Sequence, residues 1–310
     1  MDKVKTAIVG LGKIGIFYDL NSDKSWKIHQ TMSHTKAVIE SLNFEVKYLV
    51  DENIEVLNQV KKLFPSIACL TLNEVLSLPE PNLVIISTPT KSHLEVAQKI
   101  SEKWFFCNYL VEKPVGSDSH ECFKILGLLS HEENRVYINY FRRFLPHFDA
   151  LKISNFFKTR GQLQKISINA YGTLTNNYSH FLDLATFLDG REILGLNKKK
   201  LILKEMGKIS FIDVSTNVYF NFIDIDTSKD QCSMKLEYEN LIISITENGQ
   251  IIELLKTDGT FLDQLDLGPE LFNNYQSFVL DRINLDIKSF SAYSGGLDAI
   301  HVHKFIESIE

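Results

Sequence analysis

No stretch of this 310-residue chain is apolar over the length of a membrane span, which argues against a membrane protein. No dense run of lysine and arginine interrupts a net charge of −6, so a nucleic-acid partner has little support. Cysteine is scarce. Cys69, Cys107, Cys122 and Cys232 lack metal-ligand spacing and read as reduced, mostly buried thiols of a cytoplasmic protein. The N-terminus lacks a leader pattern and runs straight into a strand. Internal repeats and low-complexity segments are also absent. What remains is 44% hydrophobic and 23% charged, a soluble globular composition with length for two substantial cores.

Val4 to Val9 is a short β-rich apolar run that stops at glycine, as a buried parallel strand feeding a tight turn does. Gly10, Gly12 and Gly15 complete a G-x-G-x-x-G. The first glycine permits the turn, the second lets backbone approach a pyrophosphate, and the third lets a helix pack on the strand. That helix is expected to present its N-terminal amides to the phosphates. A second strand, Phe44 to Val50, ends at Asp51, whose carboxylate suits the adenine ribose hydroxyls and disfavours a 2′-phosphate. Asp51 lies well beyond the usual interval of about 20 residues. An inserted polar loop, roughly Asp19 to Ser33, accounts for the excess.

Asn53 to Phe64 reads as a helix stopped by Pro65. Leu83 to Ser87 is another apolar strand, with Thr88-Pro89-Thr90 at its carboxyl end, where nucleotides bind in such sheets. Ser92-x-x-Glu95 has the pattern of a capping box. His93 sits in that first turn, either near a cofactor or simply facing solvent. Phe105 to Val111 is the next strand, and Glu112-Lys113-Pro114 leaves its end. A lysine at the mouth of a nucleotide-binding sheet is a candidate for chemistry on a hydroxyl or ketone. Each motif alone is weak, but the three in this order are a strong signal.

On these residues the chain resembles the glucose-fructose oxidoreductase/inositol dehydrogenase/rhizopine-catabolism (Gfo/Idh/MocA) family. The resemblance continues through Asn139-Tyr140-Phe141-Arg142-Arg143-Phe144-Leu145-Pro146 and His180-Phe181-Leu182-Asp183. It implies that Lys113 lies near the nicotinamide and the substrate hydroxyl, and that His180 is the active-site histidine. The implied cofactor is NAD, with NADP disfavoured. The cofactor set is Gly10, Leu11, Gly12, Lys13, Ile14, Gly15, Asp51, Thr88, Pro89, Thr90, His93, Glu112, Lys113 and Arg142. Polyol and sugar dehydrogenases of the family commonly carry Asp four residues before the histidine. Here that position is Asn176, which cannot supply a negative charge to the imidazole. His34, in Ser33-His34-Thr35-Lys36-Ala37, resembles a His-x-x-Ala helix start and is expected to be structural.

Beyond the first domain, strand candidates are Gln164–Tyr171, Ile209–Val214, Asn217–Ile223, Ser233–Tyr238, Leu241–Thr246 and Ile251–Lys256. Glu239-Asn240 is a modest turn signal and Asn248-Gly249 a strong one. The expected fold is therefore α/β. A Rossmann dinucleotide-binding domain (1–118) precedes an α+β domain (119–310) with a mainly antiparallel open sheet, which by the resemblance makes homodimer or homotetramer contacts. The last helix is expected to pack back towards the first domain. Asn176, His180 and Asp183, spaced by four and three, would share one helix stripe. His301 and His303, two apart, would point to different sides of a helix and make a poor chelating pair. No metal is assigned.

The expected reaction is hydride transfer between NAD(H) and a hydroxyl-bearing carbon of a sugar, polyol or nucleotide sugar. His180 is the general base, Lys113 stabilises the alkoxide, Asn176 positions a hydroxyl or the imidazole, and Asp183 orients His180 or binds a hydroxyl. Arg142 or Arg143 binds a phosphate or lies on the surface. Two alternatives stand beside this reading. One is an NAD(H)-binding sensor or assembly subunit without turnover. The other is an epimerase or lyase that retains its cofactor.

Overall fold

The computed structural model describes residues 2–21, 23, 25–131, 134–195, 199–205, 207–225, 231–289 and 296–309. Backbone contacts divide the chain into two units: residues 1–139 with 273–299, and residues 140–272 with 300–310. None of the described helices is long and apolar enough to cross a membrane. All four cysteines are free thiols and three are buried.

The first unit is built on six strands: β1 (Val4–Val9), β2 (Phe44–Val50), β3 (Ala68–Leu70), β4 (Leu83–Ile86), β5 (Asn108–Val111) and β6 (Val136–Ile138). They run in the order β3-β2-β1-β4-β5-β6, and every pairing is parallel. Residues 7–9, 48–50, 83–86 and 109–111 are apolar without alternation because both faces of the sheet are buried there. Ile8, Leu83, Val84, Ile85, Leu110 and Val111 have no exposed surface. Strand order reverses between β1 and β4, which opens the crevice used by ligands in such sheets. The helix Ile54–Leu63 starts at Asn53, whose side chain accepts from the Glu55 and Val56 amides, and it ends ahead of Pro65.

The helix Ser119–Leu129 and β6 complete this unit, so the expected boundary at 118 moves to 139. The helix Tyr275–Ser289 also joins it. Thr31 N donates to Asn273 O at 3.0 Å, and the Tyr275 hydroxyl donates to Met32 O at 3.2 Å. The helix that returns is therefore the one before the last. From Ile300 the last helix belongs to the second unit, where Phe305 packs on the rings of Phe211 and Phe220.

The glycine turn does not open a continuous helix. Residues 13–16 form a turn, and Phe17–Asp19 is a 3-10 helix. The helix His34–Glu40 then resumes on the same carbonyls. His34 N donates to Ile14 O at 2.9 Å and Thr35 N to Gly15 O at 3.0 Å. In an uninterrupted helix those carbonyls would serve residues four positions on. Residues 18–33 are thus an excursion inserted into one helix. Without it, Asp51 falls roughly 20 residues after Gly15, the interval usual for the ribose-binding carboxylate.

Two buried charges fasten the excursion. Asp19, fully buried, accepts from Ser33 N and Oγ at 2.7 Å each, Met32 N at 2.9 Å and Gln30 Nε2 at 3.0 Å. The Lys36 ammonium donates to Lys27 O at 2.6 Å and Gln30 O at 2.5 Å. Trp26 lies against Phe64, with ring centroids 5.9 Å apart. Replacing Asp19 by Ala strands the buried Ser33 amide and the partly buried Met32 amide. It is expected to cost about 2–3 kcal/mol in urea unfolding and to open residues 20–30 to proteolysis. An unchanged midpoint would show that the loop is held by other means.

The second unit holds β7 (Leu163–Ala170), β8 (Lys199–Glu205), β9 (Lys208–Asp213), β10 (Tyr219–Asp224), β11 (Ser233–Tyr238), β12 (Ile242–Thr246), β13 (Ile251–Leu255) and β14 (Phe261–Asp266). The order is β14-β13-β12-β11-β7-β10-β9-β8. Only β7 with β10 is parallel among these pairings. Alternation is clear: Met234, Leu236 and Tyr238 are buried, while Ser233, Lys235 and Glu237 are partly exposed. One face therefore carries the core. The turn between β12 and β13 contains Asn248 and Gly249, both at positive φ (59° and 106°), as the sequence led one to expect.

Candidate functional site

At the carboxyl end of the first sheet a cavity of 730 Å³ is lined by Val9 to Ile14, Asp51, Ser87 to Thr90, Glu112 and Lys113. Its floor is the glycine turn. Gly10 has φ +99°, and a Cβ there would lie 2.5 Å from Thr88 N. Gly15 is equally constrained, against the Gly10 carbonyl. It packs the turn and does not line the cavity. Gly10 N donates to Val50 O at 2.8 Å, and Ser87 Oγ donates to Gly10 O at 2.8 Å. The turn is thereby tied to the ends of β2 and β4.

Asp51 is held at the cavity wall. One oxygen accepts from Leu11 N at 2.7 Å and the other from Asn53 N at 2.8 Å. Glu52 stands beside it and accepts from Leu72 N at 3.0 Å. Val56, Leu72 and Val96 provide apolar wall. These features fit a dinucleotide: a cradle that only glycine tolerates, an acidic end and apolar sides. Phe17, Tyr18, Glu52, Glu95 and Lys99 also line the cavity and were not legible from motifs. Glu95 pairs with Lys99 at 2.8 Å, and the expected Ser92 capping box does not form.

His93 is buried and does not face solvent. Its Nδ1 lies 2.9 Å from Val115 O and its Nε2 2.8 Å from Thr88 O. It bridges the backbone of the two loops that carry Thr88 and Lys113, and it is not among the cavity-lining residues. Lys113 is half-buried, and its peptide to Pro114 is cis.

Glu112 is buried beside Lys113. Its Oε1 accepts from His34 Nε2 at 2.8 Å and from Asn139 Nδ2 at 2.5 Å. Its Oε2 faces Lys113 N at 3.3 Å. Burial pushes the Glu112 carboxyl up. The hydrogen bond and charge of His34, the Asn139 amide and the Lys113 charge outweigh burial, so the group sits below the ordinary glutamate value.

In the second unit the expected stripe of Asn176, His180 and Asp183 is broken. Leu174–Tyr178 is a π-helical turn, wider than an α-turn, and exposed Asn176 lies within it. The helix Ser179–Asp189 carries the other two. His180 is buried, with its ring against the edges of Tyr140 at 5.6 Å and Phe141 at 5.3 Å.

The Arg143 guanidinium pairs with buried Asp183, Nε to Oδ2 at 2.8 Å and Nη2 to Oδ1. Arg142 is buried too. Its Nε donates to Asn248 O at 2.7 Å, and its guanidinium lies 4.7 Å from the Phe141 ring and 4.5 Å from the Phe181 ring. Neither arginine is a surface residue. The contacts of Arg142, expected at the cofactor, fasten the β12–β13 turn to the helical layer of its own unit.

Residues 4–140 match the model of the oxidoreductase family with an NAD-binding Rossmann fold, the Gfo/Idh/MocA family. That segment, somewhat under half of the chain, is similar to the NAD-binding domain of the family. Inositol 2-dehydrogenase of Rhizobium meliloti (strain 1021) is 23% identical over 149 residues. That match spans 43% of this chain and 44% of the relative, under half the length of each. The fold as a whole has solved counterparts. The WlbA dehydrogenase from Bordetella pertussis, in complex with NADH and UDP-GlcNAcA, superposes with TM-score 0.73 at 11% identity, covering 99% of this chain and 94% of that one. The aldose-aldose oxidoreductase from Caulobacter crescentus, complexed with glycerol, gives TM-score 0.73 at 14% identity, covering 99% and 96%.

Two substitutions test these assignments. Gly10→Ala is expected to weaken NADH binding at least ~10-fold in a fluorescence titration, because the added carbon must displace backbone at a left-handed position. Asp183→Asn is expected to cost roughly 3–5 kcal/mol in chemical denaturation, since it leaves Arg143 buried beside a neutral partner. A full-stability Asp183→Asn variant would mean that the pair serves only chemistry.

Proposed function

We propose that the protein is an NAD-dependent oxidoreductase moving hydride between the nicotinamide and a hydroxyl-bearing carbon of a sugar, polyol or nucleotide sugar. The observation that carries this reading is a single cavity in the first unit. It joins a glycine cradle, a tethered Asp51 and a lysine at the mouth of β5. The bound cofactor supplies a two-electron acceptor. The chain's own residues orient it, discriminate its ribose and handle the substrate proton. Asp51 and Glu52 place two carboxylates at the acidic end, which favours a ribose 2′-hydroxyl over a 2′-phosphate.

In this proposal Lys113 stabilises the developing alkoxide, and His180 takes the hydroxyl proton. Asn176, on its exposed turn, binds a substrate hydroxyl. Asp183 acts through Arg143 on the helix that carries His180. The substrate class is supported by the inositol dehydrogenase likeness of the first unit. A cytoplasmic homodimer or homotetramer, built through the open face of the second sheet, completes the proposal.

Asn176 favours one second reading, an NAD(H)-binding protein without turnover, because an amide adds no charge at that position. The test is NADH absorbance against free sugars, polyols and nucleotide sugars, with Lys113→Ala and His180→Ala as controls. Turnover on one class, falling ~100-fold or more in both variants, is the expected outcome. Silence across the panel with intact NAD(H) binding would favour the second reading. Silence together with NAD carried through purification would favour a retained-cofactor epimerase or lyase.

A further inference from the structure

The excursion at residues 18–33 is fastened at many points, and part of that fastening converges on one residue of the cavity wall. Tyr18 lines the cavity and is 40% exposed. Its amide donates to Lys13 O at 2.8 Å, which ties it to the glycine turn. Its carbonyl accepts from two side chains of the excursion, Lys27 Nζ at 2.7 Å and Gln30 Nε2 at 3.1 Å. Between Tyr18 and these donors the chain folds back on itself. Leu20 and Trp26 form an antiparallel bridge. Asn21 N donates to Ser25 O at 2.9 Å, and Lys27 N donates to Asp19 O at 2.7 Å.

The Tyr18 main chain is thus held from the turn at its amide and from the excursion at its carbonyl. Its hydroxyl is taken up by none of the described residues. The hydroxyl of Tyr275, by contrast, is spent on Met32 O. A ring on a fixed backbone, with a donor left over and a cavity in front of it, suits a ligand that is partly apolar and partly polar.

We propose that Tyr18 is a cofactor-contacting residue. Its ring covers the dinucleotide on the nicotinamide side of the pyrophosphate, and its hydroxyl donates there to a phosphate or ribose oxygen. The excursion holds it in that place. This rests on the reading of the cavity as the NAD site, and not on the reaction performed there. Order along the turn gives the position. Leu11, at the start of the turn, is tied to Asp51, the carboxylate that suits the adenine ribose. The amides that follow are those that serve a pyrophosphate. Tyr18 comes after them, past the phosphates. Phe17, its neighbour in the wall, adds apolar surface but no donor. A wall fixed before binding spares the cost of ordering a loop as the ligand arrives. The consequence is slow release of the cofactor.

The test is NADH release, followed by stopped-flow fluorescence on displacement with excess NAD, with no substrate present. Wild type is compared with Tyr18→Ala, Tyr18→Phe and Lys27→Met. Tyr18 is partly exposed, so its replacement spares the core, and urea midpoints verify this. Tyr18→Ala is expected to speed release and raise the NADH Kd about 10-fold. Tyr18→Phe is expected to fall between the two. Lys27→Met, which removes one hold on the Tyr18 carbonyl, is expected to speed release about threefold. Competition with AMP and ADP-ribose locates the contact. In Tyr18→Ala, ADP-ribose is expected to weaken along with NADH, while AMP, which reaches only the acidic end, keeps its affinity. Unchanged release in Tyr18→Ala overturns the proposal. An equal loss for AMP also overturns it, because it would mean a deformed cavity. Wild-type release in Lys27→Met removes the excursion's part in it. Faster release from Tyr18→Ala in a protein that turns over no sugar upholds Tyr18 and defeats only the proposed reaction. Turnover with unchanged release does the reverse.

Discussion

Two backbone hydrogen bonds, from the His34 and Thr35 amides to the Ile14 and Gly15 carbonyls, are the constraint on which the first unit depends. They let one helix be cut open and resumed. A helix start leaves its first amides without intrahelical partners. Here those amides find the carbonyls of the turn before the cut, as if residues 18–33 were absent. The glycine turn consequently keeps its place on β1, and Asp51 keeps its place at the end of β2. Thr35 Oγ1 adds a further bond to Gly15 O at 2.7 Å. The excursion costs little because Asp19 is met by amides of the same loop, and the loop carbonyls of Lys27 and Gln30 are met by the Lys36 ammonium of the resumed helix.

The same junction explains how His34 reaches Glu112. A residue at the start of a helix that sits over the sheet's carboxyl end faces the loop leaving β5. Had the insertion displaced the helix, the ring would have no fixed relation to the carboxylate, and buried Glu112 would keep only Asn139 Nδ2 and the Lys113 amide as donors. The position of the helix start is thus held from two sides, by backbone at Ile14 and Gly15 and by the ring at Glu112. Phe17 and Tyr18, where the excursion leaves the turn, stand in the cavity wall. Insertion and site are parts of one arrangement.

What the sequence made legible follows from how local each signal was. β1 and β2 were readable to the residue because β-rich segments that end in apolar triplets, Ala7-Ile8-Val9 and Tyr48-Leu49-Val50, stop at glycine and aspartate. Asn53 as a cap and Asn248-Gly249 as a turn depended only on near neighbours. β8 and β14 were missed. As edge strands they are rich in lysine, glutamate and aspartate, the composition that discourages further pairing, and this weakens the apolar alternation. β3 and β6 have three residues each, too few for a pattern. The stripe of Asn176, His180 and Asp183 assumed an α-helical period that the π-turn breaks. The Ser92-x-x-Glu95 motif was genuine as sequence, but Glu95 found Lys99 instead.

Arg142 and Arg143 show the limit most clearly. They are adjacent, identical in type and both buried, yet one lies between two aromatic rings and the other forks onto a carboxylate. Within a single 3-10 turn, Phe141–Phe144, neighbouring side chains diverge around the axis by about a third of a turn. Partner choice is then decided by what the rest of the unit brings to each side. Asp183 lies 40 positions away and Asn248 106 positions away. No local rule can choose between them. The two arginines instead join the helix bearing His180 to the β12–β13 turn of its sheet. In this unit, as in the first, buried charge does the positioning, and the residues proposed for chemistry stand on elements that such pairs hold fixed.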